Sequence, residues 1–345
     1  MVIKFKKRPI LSIGKTLSIF IVLCISFLFL VLFWPQNNTK FIRKITVESG
    51  LSLDQISDIL YEKKIIKNKD IFSFAVKLLG MEKKIPIGTF KLVNANSNYE
   101  IINQLIYGAP EVKKVMILEG WTLNQIANNL QNELQFDSLE IINLFRDQDF
   151  LKKNGINSPS LEGYLYPDTY YFFVGDNPKN VLSQLISMHS SFWTNSFKNR
   201  AKKLNMTKHE VVTLASIIEG EAIYNSERAK ISAVYHNRLK IGMKLQADPT
   251  IQYIIPDSPR RLFNRDLKIK SPYNTYLHKG LPPGPINSPG RNSLIAALYP
   301  EHNDFLFFVA TGDGYHTFST NERDHNKAKR KLQKLRKKIK RKNKK

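Results

Sequence analysis

The sequence predicts an α+β protein behind one N-terminal transmembrane helix, with two strand-helix modules followed by a mixed α/β domain. Three observations carry that prediction: one long uncharged apolar run, a strand-turn-helix pattern that occurs twice, and a second half in which capped helices precede a β-hairpin. With 42% hydrophobic and 24% charged residues, the chain is neither disordered nor polytopic.

The apolar run is LSIFIVLCISFLFLVLFW, eighteen residues from Leu17 to Trp34, and the chain stays uncharged to Thr39. At ~1.5 Å per residue it spans roughly 27 Å, close to the ~30 Å hydrocarbon core of a bilayer. No small-residue cleavage pattern follows it, so it reads as an uncleaved anchor over residues 17–37. The basic segment 1–16 holds Lys4, Lys6, Lys7, Arg8 and Lys15 and no acid, which by the positive-inside rule keeps the N-terminus cytoplasmic. The predicted location is therefore the plasma (inner) membrane, single-pass, with everything after the anchor outside the cytoplasm.

The formal charge of +24 belongs mostly to the ends. Residues 327–345 form a basic tail of thirteen cations without an acid, and the body between the ends carries 35 basic against 29 acidic residues. That is an ordinary surplus, and the export orientation opposes a nucleic-acid partner. Leu332, Leu335 and Ile339 recur at helical spacing in the tail, a pattern suited to lying along anionic lipid headgroups. The single cysteine, Cys24, permits neither an intrachain disulfide nor a cysteine-rich zinc site. No metal or cofactor is expected.

Past the anchor, VESGLSLDQIS from Val47 and ILEGWTLNQIA from Ile117 echo each other at an offset of 70 residues. Each reads as a short strand, a glycine turn, a Ser or Thr N-cap and a helix. The echo continues in IINQL from Ile101 and VLSQL from Val181, defining modules over residues 43–110 and 112–195. The pattern resembles LysM modules, which bind N-acetylated wall sugars; a packing module without a ligand has the same pattern.

The third segment, 196–326, opens a helix with Thr207 as N-cap and Glu210 three residues on. Val211, Leu214, Ala215, Ile218 and Ala222 give that helix an apolar face, with Glu219 on its edge. A second helix follows from Ser226; Asp248-Pro249 and Ser288-Pro289 each read as an N-cap with a first-turn proline. Ser271 to Gly290 reads as an ordered surface loop, and Phe305 to Thr320 as a hairpin turning at Asp313-Gly314.

A carboxyl group at a helix C-terminus among apolar residues should hold its proton more tightly, as a general acid must near neutral pH. Glu219 fits that description best. Glu221 is rotated about 200° from it along a helix, Asp248 is explained as a cap, and Glu162 and Asp168 reach a site only through tertiary approach. Tyr164, Tyr166, Tyr170, Tyr273 and Tyr276 suit stacking on sugar rings and filling a core equally well.

Six segments in order, LEGYLYPDTY from Leu161, LASIIEGE from Leu214, HNRLKIGMKLQADPT from His236, SPYNTY from Ser271, GLPPGPINSPG from Gly280 and HTFSTN from His316, resemble the MltG (YceG-like) endolytic murein transglycosylases. The likeness covers about residues 45–326. It implies a LysM-like first part, a catalytic domain over 196–326, and a membrane-anchored lyase that cleaves the MurNAc-GlcNAc β-1,4 bond within nascent glycan strands, leaves 1,6-anhydroMurNAc ends and terminates elongation. Peptidoglycan glycan strands are then the substrate, with peptidoglycan synthases as partners. Glu219 is the implied catalytic residue, protonating the leaving oxygen and then taking the proton of the 6-hydroxyl; because the nucleophile is intramolecular, one carboxylate suffices. Gln246, Tyr273, Asn274 and Tyr276 are the expected sugar contacts. Gly220 departs from the polar residue expected after the glutamate, and the basic tail has no counterpart in the pattern. A wall-binding tether without lytic activity is the rival reading.

Overall fold

A computed structural model describes residues 10–36, 42–48, 50–256 and 258–342. The leading cations Lys4, Lys6, Lys7 and Arg8, and Lys344 and Lys345 of the tail, lie outside the described residues. The chain divides into two compact units, residues 1–113 with 171–177 and residues 114–170 with 178–345.

The first unit holds α1 (Ile10–Phe33), β1 (Ile42–Val47), α2 (Leu53–Glu62), α3 (Lys69–Leu78), β2 (Gly88–Val93) and α4 (Asn98–Tyr107). From Lys15 to Phe33, α1 is long and apolar enough to cross a membrane, and only 6% of that stretch is buried. Those are the dimensions of a membrane anchor or a signal helix. Its C-terminal turn is fastened to the rest of the unit: the Val31 side chain enters the core, Asn98 Nδ2 donates to the Val31 carbonyl at 2.8 Å, and the Gln36 N–H donates to the Asn96 carbonyl at 2.6 Å. A helix end leaves carbonyls without partners, and the Asn98 amide satisfies one of them.

β1 and β2 pair antiparallel, Ile42 opposite Val93 and Val47 opposite Gly88, so Ile45, Val47, Phe90 and Leu92 share the inward face with Leu60 and Phe72. The helix after the first glycine turn begins with a capping box between Ser52 and Gln55. A groove of about 470 Å³ beside this turn is lined by Val47, Gly50, Leu53, Lys77, Glu82 and Ile87.

β3 (Val112–Met116) carries the chain into the second unit, which continues with α5 (Leu123–Leu134), α6 (Ser138–Leu144), α7 (Gln148–Lys153), the first two residues of β4 (Thr169–Phe173), α8 (Pro178–Phe192) and α9 (Asn195–Lys203). The second echo keeps the same cap, Thr122 with Gln125 opening α5, and β3 pairs with β4. α10 (Lys208–Glu221), α11 (Asn225–Lys240), α12 (Asp248–Ile254), α13 (Arg291–Leu298), β5 (Phe307–Ala310), β6 (His316–Ser319) and α14 (Glu322–Lys342) complete it. Residues 114–170 and 178–195 lie in the same compact unit as 196–326, while residues 171–177 belong to the first unit.

α10 is the centre of that unit. Thr207 and Glu210 form the expected capping box. Every residue from Val211 to Ile218 is buried, so the helix is enclosed on all sides instead of presenting one apolar face. Its polar positions are satisfied internally, Thr213 Oγ1 donating to the His209 carbonyl and Ser216 Oγ to the Thr213 carbonyl, each at 2.8 Å.

Two caps lie beside the predicted positions. Ala247 caps α12, which puts Asp248 in its first turn, and Gly290 caps α13 two residues after Ser288. The segment from Ser271 to Gly290 is at the surface in its first part, where Pro272, Leu277, His278 and Lys279 are exposed, and buried from Pro285 onward. Its amides are paired with α10 and the Trp121 backbone: Ile286 N–H donates to Ser216 Oγ at 3.1 Å, Asn287 Nδ2 to the Ser216 carbonyl at 2.9 Å, and Ser288 N–H to the Trp121 carbonyl at 2.8 Å. Internal partners for the backbone permit an irregular segment in a core. α14 runs unbroken through the predicted start of the tail at residue 327 and lays Leu332 and Leu335 against the β5–β6 turn at Gly312.

Candidate active site

Glu219 sits in the last turn of α10, its side chain only 6% exposed. Arg228, from the first turns of α11 and 7% exposed, donates from Nη2 to Glu219 Oε1 at 3.0 Å. The guanidinium is itself held, Nε donating to Asn225 Oδ1 at 2.9 Å and Nη1 to Ser293 Oγ. The Gly290 N–H donates to Glu219 Oε2 at 2.9 Å. The carboxylate at the C-terminal end of one helix therefore faces the N-terminal end of another, with one N–H donor on each oxygen. These hydrogen bonds stand in place of the apolar pocket expected from sequence.

Two glycines make this arrangement sterically possible. A Cβ on Gly220 would lie 2.6 Å from the Cβ of Pro249, which accounts for glycine where a polar residue is expected. A Cβ on Gly290 would lie 1.9 Å from Oε1 of Glu119, whose carboxyl group covers the Gly290 backbone.

Glu119 stands in the turn that opens the second echo. That turn is fixed by the Gly120 N–H donating to the Ser288 carbonyl at 2.8 Å, and the Cα face of Gly120 packs on Glu219. Partial burial, then the negative charge of Glu219, raise the Glu119 proton affinity, against the lowering effect of Arg228. Glu119 itself is exposed.

Beside these groups lies a cleft of about 940 Å³ whose walls include Gly120, Glu162, Gly220, Glu221, Asp248 and Tyr253. Glu162 is 5% exposed, and burial pushes its carboxyl group up to about 8 although the Leu123 N–H donates to it at 3.2 Å. Burial and then the Asp248 charge push Glu221 up to about 7; it accepts from Tyr235 Oη at 2.9 Å and is turned away from Glu219 as helix geometry requires.

The four expected sugar contacts are placed unequally, and none lines the cleft. Asn274 is fully buried: Nδ2 donates to the carbonyls of Leu267 at 3.1 Å and Ile269 at 2.7 Å, and Oδ1 accepts the Tyr276 N–H at 2.9 Å. These three bonds tie its side chain to the loop's own backbone. Tyr276 donates to Asp248 Oδ1 at 2.5 Å, Tyr273 packs against Tyr253, and Gln246 is exposed. Among the tyrosines, Tyr164 bonds His209 Nδ1 at 2.7 Å, while His209 Nε2 donates to the Pro283 carbonyl at 2.8 Å. Asp168 is occupied with the Thr169 N–H at 2.7 Å. His316 pairs with Glu227 at 2.8 Å, tying β6 to the turn of α11 that carries Arg228.

Sequence reasoning missed Glu119 and Arg228. For Glu119 a signal exists: the first echo has Ser49 before its glycine where the second has an acid. For Arg228 the signal is a cation in the first turns of the helix after the glutamate, ahead of inward-facing Ile231 and Val234.

An arginine-paired glutamate with a second acid beside it and an open cleft is a site for moving protons at a bound substrate. Residues 45–331 match the YceG-like family, and the chain belongs to that family. It is 34% identical over 312 residues to the endolytic murein transglycosylase of Bacillus subtilis (strain 168), covering 86% of each chain. It is 26% identical over 324 residues to the endolytic murein transglycosylase of Streptococcus pneumoniae serotype 2 (strain D39), covering 84% of this chain and 58% of that one. A crystal structure of a yceG-like protein from Listeria monocytogenes superposes with a TM-score of 0.58 at 33% identity, over 84% of this chain and 99% of that one.

Proposed function

We propose that this chain is a membrane-anchored endolytic lytic transglycosylase of peptidoglycan, acting on the MurNAc-GlcNAc β-1,4 bond within glycan strands and leaving 1,6-anhydroMurNAc ends. One observation carries the proposal: in a member of the YceG-like family, Glu219 is held by Arg228 and the Gly290 N–H at the edge of a cleft. The reaction moves one proton from the muramic acid 6-hydroxyl to the leaving glycosidic oxygen, and Glu219 is the carboxylate through which it passes. Attack by a hydroxyl of the same sugar needs no activated water, and its effective concentration supplies part of the rate.

Gln246, Tyr273 and Tyr276 are proposed to meet the sugar chain beside the cleft, with Asn274 holding their loop. The first module, whose β1-α2-α3-β2 order and groove at Gly50 suit an extended ligand, is proposed as a LysM-like glycan contact. With α1 as anchor and the basic segment cytoplasmic, cleavage takes place outside the membrane on nascent strands and ends their elongation, which makes peptidoglycan synthases its natural neighbours. The cationic α14 is proposed to touch anionic lipid headgroups.

The test is product analysis. Full-length chain in detergent, incubated with peptidoglycan, should release fragments with 1,6-anhydro ends detectable by mass spectrometry, and Glu219→Gln should abolish them while leaving the fold and sedimentation with peptidoglycan intact. Undiminished anhydro product from that variant would refute the assignment. Binding without product from the wild type would support the tether instead.

A further inference from the structure

We propose that Glu119 is a second catalytic residue of this site, donating the proton to the leaving glycosidic oxygen while Glu219 receives the proton of the attacking hydroxyl. The inference rests on the lytic transglycosylase reading and divides between two carboxyl groups the proton work assigned there to one.

The geometry separates the roles. Both oxygens of Glu219 already accept N–H donors, one from Arg228 and one from Gly290, and the group is nearly enclosed. Protonating it would leave the buried Arg228 without its counter-charge, which is costly. Each oxygen keeps a second lone pair, so Glu219 is equipped to accept a proton and poorly equipped to begin by giving one. Glu119 has the opposite situation. Its carboxyl group lies against the same Gly290 backbone, it is exposed, and among the described residues none donates a hydrogen bond to it. A carboxyl group without N–H donors, beside a carboxylate that has them, is the one that keeps the proton.

The groups facing Glu119 reinforce this. Glu219 on α10 favours its protonated form, as does partial burial, and Arg228 on α11 opposes them. Tyr166 also senses the Glu119 charge, and Arg291 of α13 lowers the Tyr166 proton affinity against it.

The C1–O4 bond breaks with its electron pair on O4, which takes the proton of Glu119. O6 of the same muramic acid forms a bond to C1 and yields its proton to Glu219. The site ends with Glu119 ionised and Glu219 protonated, and a proton passing from Glu219 to Glu119 restores it. Two carboxyl groups in acid and base roles are the usual means of cleaving glycosides, with the 6-hydroxyl here in place of water.

The experiment uses the full-length chain in detergent as wild type, Glu119→Gln and Glu219→Gln. Two substrates are compared: peptidoglycan, and a MurNAc oligosaccharide carrying a dinitrophenyl leaving group that departs without protonation. Glu119→Gln should lose roughly 10²-fold or more on peptidoglycan, lose the alkaline limb of its pH-rate profile, and lose far less on the aryl glycoside. Glu219→Gln should fail on both. Wild-type turnover of peptidoglycan by Glu119→Gln, or an equal loss on both substrates, overturns the proposal while the lytic reading stands. Absence of anhydro ends from the wild type overturns the lytic reading itself.

Discussion

Arg228 meets Glu219 across nine positions of sequence at 3.0 Å, and both side chains are more than nine-tenths withdrawn from water. Removing one member of such a pair leaves a buried charge unmatched. Arg228→Leu should therefore cost about 3–5 kcal/mol. Urea unfolding checks this, and the Arg228→Leu, Glu219→Gln double variant should recover part of the loss, so that it loses clearly less stability than the two single variants summed.

Gly290→Ala separates stability from activity. The backbone there, at φ −73, accepts any residue, but the new methyl would sit where the Glu119 carboxyl group lies. Glu119 is exposed and long, so it swings aside cheaply. The melting temperature should stay within about 4 °C of wild type, while glycan turnover falls by roughly 10²-fold. A stable variant of undiminished activity would argue against a role for Glu119.

Glu162 predicts how stability depends on pH. Its folded value of about 8 lies above the ordinary glutamate value of 4.5, so the folded state keeps a proton that the unfolded chain gives up. Stability should fall as pH rises through that window, by at most ~1.4 kcal/mol per pH unit. Glu221, pushed up to about 7, adds to the slope over the lower part. Glu162→Gln keeps an oxygen for the Leu123 N–H and removes the titration. Its urea midpoint should therefore exceed that of wild type near pH 8 and match it near pH 5.

The α14 helix has a salt signature. A peptide spanning residues 322–345 should bind anionic vesicles at low salt and come off as the screening length shortens from ~10 Å at 0.1 M to ~3 Å at 1 M. Salt-insensitive binding would mean that Leu332 and Leu335 drive it.

What the sequence disclosed follows the range of the interactions. The Thr207–Glu210 capping box was legible because both partners lie within one helical turn. The enclosure of α10 was not, because Thr213 and Ser216 look like exterior positions until their hydroxyls are seen to bond carbonyls of their own helix. Glu219 was legible from its helix end and its motif. Its partners were not, since Glu119 and Gly290 arrive from segments 100 and 71 residues away. The anchoring of Asn274 was not legible either, because an amide in a polar loop looks unattached, whereas three bonds tie it to the loop's own backbone.

The bond from Asn98 to the Val31 carbonyl has a mechanical meaning. A linker between a membrane helix and its cargo lets the cargo roam over a hemisphere set by linker length. Here the last turn of α1 is locked into the core of the first unit, so that unit rides on the helix as a fixed head. A bilayer around α1 would hold the groove at Gly50 at one altitude above the lipid, set by the fold of the unit and not by the reach of a linker.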